Sequence, residues 1–352
     1  MLVVDDSVVI RRLVTQALEA DPRIEIVGAA SNGSIALARV PQLTPDVITL
    51  DVEMPDMDGL QFLAKFRPQN RDVRVIMFST LTERGASATM EALSLGADDY
   101  VTKASNVGSL DRSMEALRSE LIPKIKQFFE FEDSPREHPV IRKVRSNTTM
   151  APRAIAIGIS TGGPTALGTI IPLFPADFPL PIFIVQHMPP VFTRLLAERL
   201  QASSKLNVQE ASDGLVVQGG NVYIAPGDYH MRLRRTGLKV TIQLDQEAQE
   251  NSCRPAVDVL FRSVNEIYGS DVVAAVLTGM GYDGLRGAEI LKAGGACVLA
   301  QDEATSVVWG MPGAVAQAGL AAAVLPLNDI VPEILSIARV TPRSEAPLKR
   351  AI

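Results

Sequence analysis

The 352-residue sequence contains few cysteines, histidines and aromatic residues. Its two cysteines, Cys253 and Cys297, form neither a metal-binding motif nor a disulfide framework, so we expect a reducing compartment and two small core residues. No stretch approaches about 18 uninterrupted apolar residues and no signal-peptide pattern opens the chain, which predicts a soluble, cytoplasmic protein without membrane insertion. The net charge of −6 argues against nucleic-acid binding, because phosphate contacts need a basic face.

Short apolar runs alternate with helical patterns along the chain. Five runs lie between residues 1 and 103, and five more lie between 154 and 301. This alternation predicts an α/β fold in which helices cover parallel sheets. We expect a first domain at 1–120 with a five-stranded parallel sheet, a linker at 121–152 and a second domain at 153–345. Residues 231–244 alternate about a turn, so the second, doubly wound and mostly parallel sheet should be accompanied by an antiparallel hairpin.

Acidic residues follow two strands of the first predicted sheet. Asp5 and Asp6 follow the first strand, and Asp51 ends the third. The carboxyl ends of parallel strands share one edge, so these carboxylates would repel one another without a cation, and oxygen ligands suit Mg²⁺. Ser79 and Lys103 end the fourth and fifth strands. The set predicts a pocket in which a carboxylate accepts a phosphoryl group, although any one aspartate could be a helix cap or a solvated turn residue.

The same residues resemble those of response-regulator receiver domains, the phospho-acceptors of two-component signalling. The resemblance implies a flavodoxin-like fold in which Asp51 is phosphorylated. It assigns the metal to Asp5, Asp6, Asp51 and the backbone carbonyl of Glu53, and it makes Ser79 the switch hydroxyl, Tyr100 the switch aromatic residue and Lys103 the invariant lysine. Two features depart from the family: Ala104 stands where proline is usual, and only four residues precede Asp5, which predicts a short first strand.

A glycine-rich turn, residues 158–164 (GISTGGP), follows the first strand of the second domain. Its first five residues have the G-x-S-x-G spacing of a nucleophile elbow, but a glycine-rich turn after a strand can also cradle a phosphate. No lysine follows as in a P-loop, and the spacing is not that of a dinucleotide site. The turn therefore favours Ser160 as a nucleophile, with main-chain N–H groups available to an oxyanion.

A serine nucleophile needs a base, and the chain has three histidines. His138 lies in the predicted linker and His230 enters the hairpin, where it could be structural. His187 ends a strand that we expect beside the strand of Ser160, which favours it as the base. Asp283 follows a third strand and is the favoured orienting residue, unless it only caps a helix. The alternatives are Asp213, Asp228, Asp258 and Asp302. The order Ser, His, Asp differs from that of α/β-hydrolases.

Four stretches of the second domain, GISTGGP, QHMPPVFT, RPAVDVLF and LTGMGYDG, resemble the catalytic domain of chemotaxis protein-glutamate methylesterases. The resemblance implies that Ser160 is the nucleophile, His187 the general base and Asp283 the orienting residue. Thr161 and Met280 would line the site and offer oxyanion N–H groups, and this domain would need no cofactor.

The resemblance also implies substrates, partners and regulation. Glutamyl methyl esters on the cytoplasmic helices of chemoreceptors would be hydrolysed, and receptor glutamines deamidated. A chemotaxis histidine kinase would supply the phosphoryl group, and the unphosphorylated receiver would cover the active site. Two other classes fit less well. A docking module without activity would lack a member of the Ser–His–Asp set, and a DNA-binding response regulator needs a short basic helix-turn-helix domain.

Overall fold

The structure, a computed structural model, describes residues 1–103, 110–129 and 151–340. Each predicted domain contains a parallel sheet covered by helices on both faces. Ala104, His138, most of the predicted linker and residues 341–345 lie outside the described residues. Within the described ranges, no helix has both the length and the apolarity needed to cross a membrane.

The N-terminal sheet has the strand order β2-β1-β3-β4-β5, and all its pairs are parallel. Its strands are β1 Leu2–Val4, β2 Gly28–Ala30, β3 Val47–Asp51, β4 Arg74–Ser79 and β5 Asp99–Thr102; its helices are α1 Val8–Leu18, α2 Gly33–Leu43, α3 Gly59–Phe66, α4 Glu83–Ser94 and α5 Leu110–Lys126. The first strand is short, as expected. Helix α5 continues beyond residue 120, with Leu121 and Ile125 buried in this domain's core.

Polar side chains cap the N-termini of helices in this domain. Ser7 accepts a hydrogen bond from the Ile10 N–H at the start of α1, and Asp58 accepts one from the Gln61 N–H at the start of α3. Each cap satisfies an N–H group that the helix itself leaves unpaired. The chain can therefore turn back within a few residues of β1 and β3, which leaves Asp5 and Asp51 at the loop edge of the sheet.

The C-terminal sheet has seven parallel strands in the order β14-β13-β12-β6-β7-β9-β8. Its strands are β6 Ala154–Ile159, β7 Ile182–Gln186, β8 Asn207–Glu210, β9 Asn221–Ile224, β12 Val272–Val276, β13 Cys297–Gln301 and β14 Ala323–Leu325; the helices are α6 Gly163–Ile170, α7 Phe192–Ser203, α8 Val257–Tyr268, α9 Leu285–Ala293, α10 Met311–Gln317 and α11 Leu327–Ile337. The expected hairpin is a separate antiparallel pair, β10 His230–Thr236 with β11 Lys239–Asp245. The two edge strands, β8 and β14, are additional to the strands predicted from the sequence.

The central strand β6 pairs with β7 on one side and β12 on the other. The chain leaves β6 toward β7, whereas β12 and the strands after it lie on the opposite side, so the strand order reverses here. In open α/β sheets, ligands bind beyond the carboxyl ends of the strands at such a reversal. The loops after β6, β7 and β12 therefore meet where a site is expected.

The N-terminal domain packs with α4 and β5 against the C-terminal domain. The rings of Tyr100 and Phe192 stack across the contact, with centroids 4.7 Å apart and planes 7° apart. Arg199 donates to the Met90 carbonyl at 2.6 Å, and Thr165 donates to the Leu93 carbonyl at 3.1 Å. The contact therefore places the end of α4 and strand β5 beside the loops that follow β6 and β7.

Candidate functional sites

The acidic residues predicted at the first sheet meet in one pocket. Carboxylate oxygens of Asp5, Asp6 and Asp51 lie within 4.8 Å of one another. Asp5 and Asp51 are buried, whereas Asp6 is exposed. Lys103 places its Nζ 3.0 Å from Asp5 Oδ2 and 2.8 Å from Asp51 Oδ1. Three carboxylates against one ammonium group leave an excess of negative charge in the pocket.

Burial and, to a smaller extent, this excess charge raise the pKa of Asp51. Burial raises it to about 6; the hydrogen bond from Lys103 opposes the shift, and the charge of Asp5 adds to it. Burial alone would lower the pKa of Lys103, but its contacts with Asp51 and Asp5 raise it above the usual value. An ionised Asp51 is thus only partly compensated by the lysine. The hard oxygen donors and the residual negative charge fit a small divalent cation such as Mg²⁺.

The other predicted receiver residues make contacts of their own. Ser79 is buried and donates to the Gly85 carbonyl at 3.1 Å, whereas Tyr100 is buried against the C-terminal domain. The Glu53 carboxylate pairs with the exposed Arg84 at 3.2 Å. The group of Glu53 that the resemblance assigns to a metal is its main-chain carbonyl, which takes no part in this ion pair.

Ser160 follows β6 on a tight turn that neighbouring groups hold firmly. Its N–H donates to the Thr278 carbonyl at 2.9 Å, and its carbonyl accepts from Gln186 Nε2 at 2.9 Å. Gly162 has a φ of 77°, and a Cβ there would also lie 2.6 Å from Val307. A Cβ on Gly279 would lie 2.7 Å from the Ser160 Cβ, so glycine lets the loop after β12 approach the serine closely.

Asp283 contacts His187, the residue that the sequence predicts it to orient. The distance between His187 Nε2 and Asp283 Oδ2 is 2.8 Å. Asp283 also accepts hydrogen bonds from the N–H groups of Val257 and Asp258, the first two residues of α8, and from Asn251 Nδ2. Burial alone would raise the pKa of Asp283, but His187 and these N–H donors lower it. The carboxylate is therefore held ionised, and it caps α8 rather than only the helix that follows it.

With Nε2 turned to Asp283, Nδ1 is the nitrogen of His187 that remains for proton transfer. Burial would lower the pKa of His187, but Asp283 and then Cys253 raise it above the usual value. Among the described residues, Ser160 Oγ makes no hydrogen bond to His187; instead Cys253 Sγ lies 3.6 Å from Nδ1. Such bonds are often loose in unliganded enzymes and tighten when substrate binds.

Cys253 corrects one expectation from the sequence. Cys297 is buried in β13, as expected for a small core residue, but Cys253 is half-buried and lines the cleft beside His187. The prediction that both cysteines are core residues is therefore wrong for Cys253. The loop that carries it turns sharply, with positive φ at Asn251 and Ser252.

A cleft of about 570 Å³ joins these groups, and both domains line it. The wall from the C-terminal domain includes Ser160, Thr161, His187, Met280 and Asp283. Neither the Thr161 nor the Met280 N–H has an acceptor within the described ranges, so both are available to an oxyanion. The opposite wall comes from the N-terminal domain. Thr161 Oγ1 donates a hydrogen bond across the cleft to Asp99 Oδ2 of that wall, at 3.2 Å.

The remaining candidates have structural partners. His230 is fully buried, with Nε2 3.0 Å from the Ala248 carbonyl, and its Nδ1 accepts from the Ala256 N–H. None of the alternative orienting residues contacts His187 in the described structure; these are Asp213, Asp228, Asp258 and Asp302. Sequence reasoning missed Asn251, Cys253 and Asp99. Asn251 and Cys253 lie within the three residues before the RPAVDVLF stretch, and this proximity was the available signal.

Comparison with known proteins places this site in a family. The model of the CheB methylesterase family matches residues 155–334, half of the chain. The chain belongs to the CheB methylesterase family. The response regulator receiver domain also matches, over residues 1–115. Both resemblances seen in the sequence are thereby confirmed, in the order receiver and then methylesterase domain.

Relatives of the methylesterase family match nearly the whole chain. A protein-glutamate methylesterase/protein-glutamine glutaminase of Trichodesmium erythraeum is 51% identical over 343 residues, which cover 95% of this chain and 97% of the relative. A protein of the same description from Nocardioides sp. is 51% identical over 350 residues, with 95% and 94% covered. The crystal structure of the Thermotoga maritima CheB methylesterase catalytic domain is 47% identical with a TM-score of 0.52, and covers 53% of this chain and all of that one. The α/β fold predicted for the second domain is confirmed.

Proposed function

We propose that the protein hydrolyses glutamyl methyl esters on chemoreceptors, deamidates receptor glutamines, and is inhibited by its receiver domain until Asp51 is phosphorylated. Family membership and the names of the relatives support the two activities. The observation that carries the catalytic assignment is the 2.8 Å contact between His187 and Asp283 in the same cleft as Ser160.

Catalysis would proceed through an acyl-enzyme. Ser160 Oγ attacks the ester carbonyl carbon while His187 Nδ1 takes its proton, and the N–H groups of Thr161 and Met280 bind the oxyanion. The C–O bond to the methoxy group then breaks, and the imidazolium returns the proton so that methanol leaves. Water attacks the acyl-enzyme with His187 again as base, which releases glutamate and restores Ser160. With glutamine, ammonia leaves in place of methanol.

The ionised Asp283 suits this cycle. It stabilises the imidazolium that forms in each half-reaction. It also holds neutral His187 in the tautomer that carries the proton on Nε2. Two N–H groups of α8 and the side-chain N–H of Asn251 also donate to the carboxylate, so it stays charged when His187 is neutral. No step in this domain needs a metal.

The receiver would inhibit by covering the cleft. Asp99 binds the Thr161 hydroxyl and Tyr100 stacks on Phe192, so strand β5 lies over the loop that carries Ser160. Phosphorylation of Asp51 would add charge beside Lys103, and Mg²⁺ held by Asp5, Asp6, Asp51 and the Glu53 carbonyl would offset that charge. A rearrangement of Ser79 and Tyr100 would then weaken the contact. To move the closed and open states from 99:1 to 1:99 takes roughly 5.5 kcal/mol of differential stabilisation.

The implied partners follow from this regulation. A chemotaxis histidine kinase is the proposed phosphodonor, and methylated receptor helices in the cytoplasm are the proposed substrate. Nucleic acid has no place in the proposal, because the chain is acidic overall.

Methanol release from methylated receptor tests the catalytic assignment. We expect Ser160→Ala to abolish release and to leave phosphorylation of Asp51 by acetyl phosphate intact, since Asp51 lies in the other domain. Methanol release at the wild-type rate by this variant would refute Ser160 as the nucleophile. Retained phosphorylation is the internal control that the variant is folded.

A further inference from the structure

The contact between His187 and Cys253 has no role in the proposed catalytic cycle. Cys253 Sγ lies 3.6 Å from His187 Nδ1, and both side chains line the open cleft. A neutral imidazole nitrogen and a thiolate are the ligands that Zn²⁺ prefers. His187, Cys253 and Asp283 also place ligand atoms within 4.8 Å of one another.

The separation of the two atoms matches a zinc centre. Bonds of about 2.0–2.1 Å to nitrogen and about 2.3 Å to sulfur, set at the tetrahedral angle, place the two ligand atoms about 3.6 Å apart. The observed Nδ1–Sγ distance therefore suits the binding of one ion by both atoms. The cleft of about 570 Å³ leaves room for water or the Ser160 hydroxyl at the remaining positions.

The surroundings of His187 also fit a metal ligand. Histidines that bind metals usually donate their other ring N–H to a carboxylate, which fixes the tautomer and strengthens the ligand. Asp283 Oδ2 accepts a hydrogen bond from His187 Nε2 at 2.8 Å, and the same carboxylate accepts hydrogen bonds from Asn251 and from the N-terminus of α8. Nδ1 is thereby presented with its lone pair toward Cys253.

We propose that His187 Nδ1 and Cys253 Sγ form an inhibitory binding site for a thiophilic divalent cation, for which Zn²⁺ is the probe. Binding displaces the thiol proton of Cys253 and leaves Nδ1 without a lone pair. The inhibition rests on the proposed role of His187 as the base, whereas the binding does not. Because the cleft also exists with the receiver in place, the ion would reach the site in the unphosphorylated protein.

Two measurements on the full chain test the site, with Cys297→Ala as the matched control. The first is a Zn²⁺ titration of methanol release, with each variant compared to its own zinc-free rate; saturating Mg²⁺ is included to compete with Zn²⁺ for the acidic pocket. We expect Cys253→Ala to raise the half-inhibitory zinc concentration by about tenfold or more, a loss that even an outer-shell partner can cause. Cys297→Ala should be inhibited like the wild type.

The second measurement replaces Zn²⁺ with Co²⁺ and reads the thiolate-to-cobalt charge-transfer absorption in the near ultraviolet. The band should appear in the wild type and in Cys297→Ala, and be absent in Cys253→Ala. Equal zinc inhibition of both cysteine variants, or an unchanged cobalt band in Cys253→Ala, would overturn the proposal. The spectrum decides the site even if no methanol release is found, so failure of the proposed function would be distinguished from failure of this inference.

Discussion

The stacked pair across the domains offers the sharpest test of the proposed inhibition by the receiver. Tyr100 of β5 and Phe192 of α7 are both buried, and their rings are nearly parallel. If the receiver closes the cleft, then truncating Tyr100 should favour the open state and raise methylesterase activity without any phosphodonor. We therefore predict that Tyr100→Ala has a higher basal rate than the wild type.

The size of the effect follows from the lost contact. An aromatic pair contributes about 0.5–1.5 kcal/mol beyond the area that it buries. The ring also loses only part of the roughly 1.5–3 kcal/mol that full burial of a large side chain provides, because the receiver's own Lys124 also lies against it, with Nζ 5.0 Å from the ring centroid. A total of about 2 kcal/mol corresponds to a roughly thirtyfold shift in the closed-to-open ratio. The basal rate should rise by up to that factor, limited by the rate of the fully open enzyme.

The assay is methanol release from methylated receptor by four proteins: the wild type, Tyr100→Ala, Phe192→Leu and the double variant. The leucine keeps an apolar side chain at the start of α7, where Phe192 is fully buried. If the rings act as a pair, the two single effects should not add, and the shortfall measures their coupling. A Tyr100→Ala rate equal to the wild-type rate, or fully additive effects, would refute the contribution of this contact to inhibition.

Three further outcomes follow from the geometry of the two sites. The pKa of Asp51 is raised from 3.8 to about 6, so the native state binds its proton more tightly than the unfolded chain does. The free energy of unfolding should therefore fall by at most about 3 kcal/mol as the pH rises from about 4 through 6. Urea titrations should show that Asp51→Asn lacks this fall, and an equally steep fall in the variant would contradict the assignment. Because Asp283 and Cys253 raise the pKa of His187, the acidic limb of kcat/KM should lie above pH 6.5, and a limb at or below that value would disagree with the geometry. Asp283→Asn should lower kcat by about 10⁴-fold, as loss of the orienting carboxylate does in the serine-protease triad, and near-normal kcat would exclude Asp283 as the orienting residue.

Much of the fold could be predicted from the hydrophobic patterns of the sequence. Buried parallel strands give near-continuous apolar runs, so β6, β7 and β12 could be predicted together with the turns after them. The edge strands β8 and β14 could not, because β8 is largely polar and β14 is only three residues long within an alanine-rich stretch. Their pairing depends on neighbours that are distant in the chain.

Part of the candidate site could likewise be predicted from the sequence, and part could not. Ser160, His187 and Asp283 could be predicted to meet, because each follows a strand and the carboxyl ends of parallel strands share an edge. Cys253 lies on an irregular loop before α8, where no periodicity constrains its direction. The contact of Asp99 with Thr161 joins residues of two domains, and only the docked arrangement reveals it.

Methanol release with and without acetyl phosphate tests the central claim most directly. In Mg²⁺, the phosphodonor should raise the rate of the full chain, and it should leave the rate of Asp51→Asn unchanged because that variant cannot form the aspartyl phosphate. Activation of both proteins, or of neither, would contradict a receiver that covers Ser160 until Asp51 is phosphorylated.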